Sequence, residues 1–201
     1  MTQETPRLAR AIAAIDAANA DDPETIVVNG ETRPKEQAHA ELMTAWVQRL
    51  DPAATEAQLI AARAHHLRRW SIPRSSYPDG RGGYLRWRTA LKKQHATDVA
   101  AILEREGYEA GVIERVQHIV RKDGLGSDPM VQVHEDALCV VFLETQLDDL
   151  ADRLGDDKTI EVIRKTVVKM SEQGISTALA LQLSAHATSL VGRALTPVEK
   201  S

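Results

Sequence analysis

The sequence predicts an all-α protein, a single compact domain of about seven helices that carries one basic, aromatic loop. Three observations lead there. Apolar side chains recur at helical spacing through most of the chain, Asp-Pro and Gly breaks separate those segments, and no alternating run has a matching partner. Hydrophobic residues make up 43% and charged ones 27% of the 201 residues, an ordinary balance for one globular core; the domain is read as 1–201 with its core at about 5–193. Aromatics are only 3%, so the core must be built from Ala, Leu, Val and Ile.

Thr5-Pro6 supplies an N-cap and a first-turn proline, and RLARAIAAIDAAN sets Leu8, Ile12 and Ile15 on one stripe until Asp21-Asp22-Pro23 ends it. Ile26-Val27-Val28 before Asn29-Gly30 reads as an extended connection, because nothing nearby offers a strand partner. After Pro34, EQAHAELMTAWVQRL spaces Leu42, Met43, Trp46, Val47 and Leu50 as a helix with His39 one turn earlier, and Asp51-Pro52 stops it. Thr55 to Gln58 forms a capping box for LIAARAHHLRRW, in which Leu59, Ala62, His66 and Arg69 share one side. SIPRSSYPDGRGGY, with two prolines and three glycines, must lie as a loop over the domain. A helix resumes near Leu85 and runs to Gly107 with Leu91, His95, Val99 and Ile102 on one face, and another runs from Glu109 to Lys122 with His118 beside its apolar stripe. Asp128-Pro129 opens the longest helix, which ends at Gly155. Its centre, ALCVVFL, is apolar on every side and so reads as the buried spine, with Glu135 and Asp136 at the border of the core. Helices at about 158–171 and 175–193 complete the chain.

The charge is unevenly spread. Between Ala64 and Lys93 there are eight basic side chains against one acid, +7 in a chain of net −4. Guanidinium groups offer phosphate or carboxylate a planar two-toothed fork, which makes Arg69, Arg74 and Arg88 candidate anion binders, with Trp70, Tyr77, Tyr84 and Trp87 as stacking or packing surfaces beside them. The same run also suits a solvated loop whose arginines pair with acids elsewhere. The single cysteine, Cys139, leaves no internal disulfide, points to a reducing compartment and reads as an inert core thiol. No apolar run approaches the ~20 residues of a membrane span and no leader is evident, so a cytoplasmic protein without a membrane partner is expected. Mild net acidity argues against broad nucleic-acid binding.

His39, His65-His66, His95, His118 and Glu135-Asp136 fall on different helices near their inner faces. Imidazole with carboxylate is a ligand set for Zn, Fe or Mn, and bundled helices can bring such side chains to one point. His134 and His186 lack an obvious companion and read as surface or capping residues, and the segment from Lys165 to Met170 offers no chemistry by its spacing.

The order and spacing of these groups resemble the HD-domain superfamily of metal-dependent phosphohydrolases. The resemblance implies an HD-like bundle in which His39 matches the first His, His65 the His of the pair, His95 and His118 the optional second-metal ligands, and Asp136 the last Asp. Arg69 falls where many members have a lysine. His66 stands where the Asp of the pair belongs, which counts against a two-metal centre.

The phrases HHLRRWSIPR, SYP, GYLRWR, EDALCVVFLE and KTVVKMSEQG resemble more closely a bacterial and fungal family known only as domain of unknown function number 4202, over about 11–180. The matching positions include His66, Arg69, Trp70, Pro73, Arg74, Tyr77, Pro78, Tyr84, Trp87, Arg88, Glu135, Asp136 and Glu144, and what this likeness implies is a fold and a pocket. Together the resemblances imply a hydrolase acting on a small phosphorylated or anionic metabolite. A divalent ion would sit on His39, His65, His66, His95, His118 and Asp136, with His66, Arg69 and Glu135 as catalytic groups. A non-catalytic protein that binds an anionic ligand without metal, and an HD-like iron-dependent oxygenase, are the alternatives.

Overall fold

The computed structural model describes residues 5–28 and 30–196, which form nine α-helices, two short 3-10 turns and one two-stranded hairpin. The chain divides into two compact units, Met1–His134 and Glu135–Ser201, and the division falls inside the helix Pro129–Leu154, which at 26 residues is matched in length by the helix Gly80–Arg105.

In the first unit α1 (Pro6–Asn19) is capped by the Thr5 hydroxyl, which accepts the Leu8 N–H, and it buries Leu8, Ala11 and Ile15. The expected extended connection is instead half of a hairpin: β1 (Thr25–Val28) pairs antiparallel with β2 (Glu31–Pro34), Val28 opposite Glu31 and Thr25 opposite Pro34. The partner strand ETRP hides itself in the sequence, being polar throughout and ending in proline. α2 (Lys35–Leu50) follows β2 directly, and the buried Asp22 carboxylate accepts the Glu24 and Glu36 N–H groups, so it serves as the cap that Pro34 does not supply.

α3 (Glu56–Arg63) has the expected capping box but stops well short of Trp70. The reason is Arg68: its backbone is left-handed (φ 53°) and its N–H goes to the Asn19 side chain on α1, so HHLR is a tight turn rather than a continued helix. Two 3-10 turns follow, Arg69–Ser71 and Arg74–Ser76. α4 (Gly80–Arg105) begins at Gly80, earlier than the glycines suggested. Gly83 is obligatory there, since a Cβ on it would stand 1.8 Å from the Pro78 carbonyl oxygen. α5 (Ala110–Arg121) packs on α4 and α3, and the first residues of α6 (Pro129–Leu154) are capped by Asp128, which accepts the Met130 N–H.

The second unit holds the rest of α6, α7 (Asp156–Val167), α8 (Glu172–Leu179) and α9 (Ala185–Leu195). The single helix read over 175–193 is two helices, because the Ser171 and Ser184 side chains each cap a new start by accepting the N–H groups of Gly174 and Ala187. Ala137, Cys139, Val140, Leu143 and Leu147 of α6 are buried, as the apolar centre of that helix requires. Among the described residues no helix is long and apolar enough to cross a membrane.

Candidate metal centre

The site is assembled by two elements of the first unit. Glu36 lies in the first turn of α2, with its N–H fixed by Asp22, and His39 follows one turn later on the same face. His66 comes from the turn after α3 and meets them: its Nδ1 is 2.9 Å from Glu36 Oε2, and His39 Nδ1 is 3.6 Å from the same oxygen. One ligand atom from each of Glu36, His39 and His66 lies within 4.8 Å of the others. Donors held about 2.1 Å from one ion lie roughly 3 to 4 Å apart, so this donor set fits a divalent cation after small side-chain movement. A further sign is that His39 Nε2 is buried with no hydrogen-bond partner.

Arg69 closes the outer side. Its Nε is 3.7 Å from Glu36 Oε1, its Nη1 is 3.4 Å from His66 Nε2, and its guanidinium lies over the Trp87 ring, 4.8 Å from the centroid. Burial pushes the Glu36 carboxyl up, but the imidazoles of His66 and His39 outweigh it and hold that group well below the usual carboxylate range. Burial pushes the His66 imidazole down to about 3 against the pull of Glu36, with Arg69 adding to the fall. At neutral pH the pair is therefore a carboxylate facing a neutral ring. Because arginine only donates, His66 Nε2 accepts from Arg69 and the ring proton sits on Nδ1, donated to Glu36.

The other histidines surround this core unequally. The His65 ring stacks on His66 with centroids 4.0 Å apart, its Nδ1 is 3.0 Å from His134 Nε2, and its own Nε2 is buried and unpartnered. Burial, with the neighbouring His66 ring and the Lys122 ammonium behind it, holds the His65 imidazole well below its ordinary value. His95 donates Nδ1–H to the Leu67 carbonyl at 2.8 Å, which leaves its buried Nε2 a bare lone pair. Burial pushes His95 down to about 4, and its ring centroid is 5.9 Å from that of His66. His118 lies instead with Arg115 on Asp128, its Nε2 3.3 Å from that carboxylate. His134, read as a surface or capping residue, is buried. His186 is exposed and pairs with Asp156.

The model of the family described as a domain of unknown function (DUF4202) matches residues 9–191. The chain belongs to this family. No curated protein and no solved structure matches it.

In this DUF4202 chain the basic loop is divided in its duties. Arg74 donates to the Tyr77 and Pro78 carbonyls at 2.8 and 3.0 Å, so its guanidinium holds the loop in shape. Trp87 is buried and donates Nε1–H to the Ile72 carbonyl at 2.8 Å, pinning the loop to α4. Tyr84 is exposed, with Arg88 over its ring at 5.8 Å and the Trp87 ring 5.9 Å away. Trp70 and Tyr77 are partly buried. Glu135 and Asp136 belong to the second unit. There Glu135 accepts from Lys169 Nζ at 2.8 Å, and Asp136 accepts the Ser171 N–H at 2.9 Å and its hydroxyl. The Asp136 carboxyl also fills the space over Gly174, where a Cβ would come within 2.6 Å of it, so the MSEQG motif is explained as a helix start built around Asp136.

Glu36 is the residue that sequence reasoning missed. Its signal was the Glu-x-x-His spacing of Glu36 and His39, which puts both side chains on one helix face.

Proposed function

We propose that this DUF4202 protein is a metal-dependent hydrolase of HD type, acting on a small phosphorylated or otherwise anionic molecule with an ion on Glu36, His39 and His66. The observation that carries the reading is the convergence of one buried carboxylate and two imidazoles on one point. In this reading Glu36, from the first turn of α2 and 2.9 Å from His66 Nδ1, would stand in for the carboxylate that the His-Asp pair lacks at residue 66. A divalent ion bound there would polarise a phosphoryl oxygen and acidify water, bringing its pKa towards about 7. The chain's own groups supply the rest. Asp22 fixes the helix turn that carries Glu36, Glu36 orients His66, and Arg69 offers a cation next to both for the anionic substrate. His95, with its proton anchored on Leu67, presents a bare nitrogen able to accept a proton or a hydrogen bond.

Metal analysis of the purified protein tests this. The expectation is about one Zn, Mn or Fe per chain, lost in His66→Ala and Glu36→Gln, and melting-temperature gains from phosphorylated metabolites that require the ion. Metal-free wild-type protein that refuses added ion overturns the reading. Retained affinity for phosphorylated compounds in that case would favour a non-catalytic binding protein. Two histidines and one carboxylate are also the donor set of iron-dependent oxygenases. Bound iron together with oxygen consumption would select that alternative.

A further inference from the structure

We infer that Arg69 and the metal ion exclude one another at His66, and that the guanidinium set free when the ion enters is the group that takes the substrate's anion. The inference rests on the metal reading above and adds an order of events to it. Both nitrogens of His66 are already engaged: Nδ1 donates to Glu36 Oε2 at 2.9 Å and Nε2 faces Arg69 Nη1 at 3.4 Å. An ion taken by Nε2 displaces Arg69 directly. An ion taken by Nδ1 moves the ring proton to Nε2, where it meets an arginine N–H head on, since a guanidinium has no acceptor. Either route evicts Arg69 from His66.

Glu36 adds to the exclusion. Arg69 Nε stands 3.7 Å from Glu36 Oε1 while the two imidazoles face Oε2, so a cation on the carboxylate and the guanidinium beside it repel at short range. Arg69 is well placed to swing, because its other support is the face of Trp87, on which a guanidinium can slide without losing contact. Arg74 differs in this respect, being tied to two carbonyls. In the ion-free protein Arg69 thus stands in for the missing positive charge, and in the loaded protein it becomes a free cation at the rim of the site.

The test uses Zn²⁺ measured against a chromogenic chelator, and methylphosphonate as the anion measured by calorimetry, on the wild type and on Arg69→Gln. Removing the competing cation should tighten Zn²⁺ binding about tenfold. Zn²⁺ should raise the methylphosphonate affinity of the wild type about tenfold or more, and that gain should fall below about threefold in Arg69→Gln. Should Arg69→Gln fail to fold by circular dichroism, Arg69→Lys is expected to show both changes in the same direction but smaller, since an ammonium lacks the planar fork that engages Glu36 and His66 together. If the wild type takes Zn²⁺ but the variant binds it no more tightly, the exclusion is wrong and the metal site stands. An anion gain that is unchanged without Arg69 also overturns the inference. If neither protein takes Zn²⁺, the metal reading and the inference both fall.

Discussion

At the scale of single residues, Glu36 decides the site. A buried carboxylate facing two imidazoles and a guanidinium is satisfied only while it is charged, and each of those neighbours is oriented by it. Glu36→Gln keeps the shape and removes the charge, and its amide N–H₂ competes with the His66 Nδ1–H for the same space. Zn²⁺ affinity should drop by about 100-fold or more, and stability should fall by about 1 to 3 kcal/mol, read by chelator competition and by urea unfolding. A variant that binds the ion as well as wild type would remove Glu36 from the ligand set. The sequence shows all the histidines but hides this acid for a physical reason. A glutamate in a helix's first turn is already accounted for by the helix dipole, so the Glu-x-x-His spacing with His39 is a faint mark that the dipole explains away. His39 and His66 were legible only as candidate ligands, from imidazoles falling near the inner faces of different helices, and a hydrogen-bonded core role is the commoner duty of a histidine on an alanine-rich face.

At the scale of elements, most helices were legible with several of their ends, such as the Thr5 and Thr55 caps and the Pro129 start, while the end of α3, the start of α4 and the break between α8 and α9 were not. Periodicity locates α2, α4, α5 and α6, yet the end of α3 depends on Arg68 adopting a left-handed backbone held by Asn19, 49 residues away, and no local pattern encodes that bond. The same holds for the start of α4. Gly80, Gly82 and Gly83 look like loop residues, but Gly83 lies in the helix because the loop backbone at Pro78 crosses where a side chain would be. Gly83→Ala should therefore cost about 2 kcal/mol or more despite alanine's better helix propensity, and should loosen the Trp87 to Ile72 bond that pins the loop. Gly82→Ala is the control, since its Cβ would meet only the flexible Arg86 side chain at 3.6 Å. It should be neutral or stabilising by up to about 1 kcal/mol. Paired melting curves with tryptophan fluorescence check both, and equal behaviour of the two variants would mean that the crossing at Pro78 gives way freely.

At the scale of the whole molecule, the sequence announces a concentrated positive charge but not its destination. Of the arginines in that segment, Arg69 turns inward to Glu36, Arg74 is used on carbonyls, and Arg68, Arg81, Arg86 and Arg88 face solvent, a division set by the path of the loop. Beside the Glu36–His66 pair stand the buried rings of His65 and His95, and these three histidines tie stability to pH. The folded-state values of His65, His66 and His95 all lie below the ordinary value of about 6.5 found in an unfolded chain. Below pH 6.5 the unfolded chain therefore binds protons that the folded protein refuses. The stability from these rings is full above that pH and is lost as pH falls towards about 4 for His95 and about 3 for His66. Glu36 acts in the same sense, its depressed value stabilising the fold above the ordinary carboxylate range and less below it. Three such histidines give a loss of at most about 4 kcal/mol at one pH unit below 6.5. All three tryptophans lie in the first unit, so their fluorescence follows the part of the chain that holds these rings. Denaturant midpoints of chelator-treated protein at pH 7.5, 6.5 and 5.5 should fall steeply over the last step, and His95→Gln should flatten that step by about a third. A midpoint that stays level down to pH 5.5 would mean that the imidazoles take up protons without leaving the fold, and that they are not the buried neutral groups on which an ion could be received.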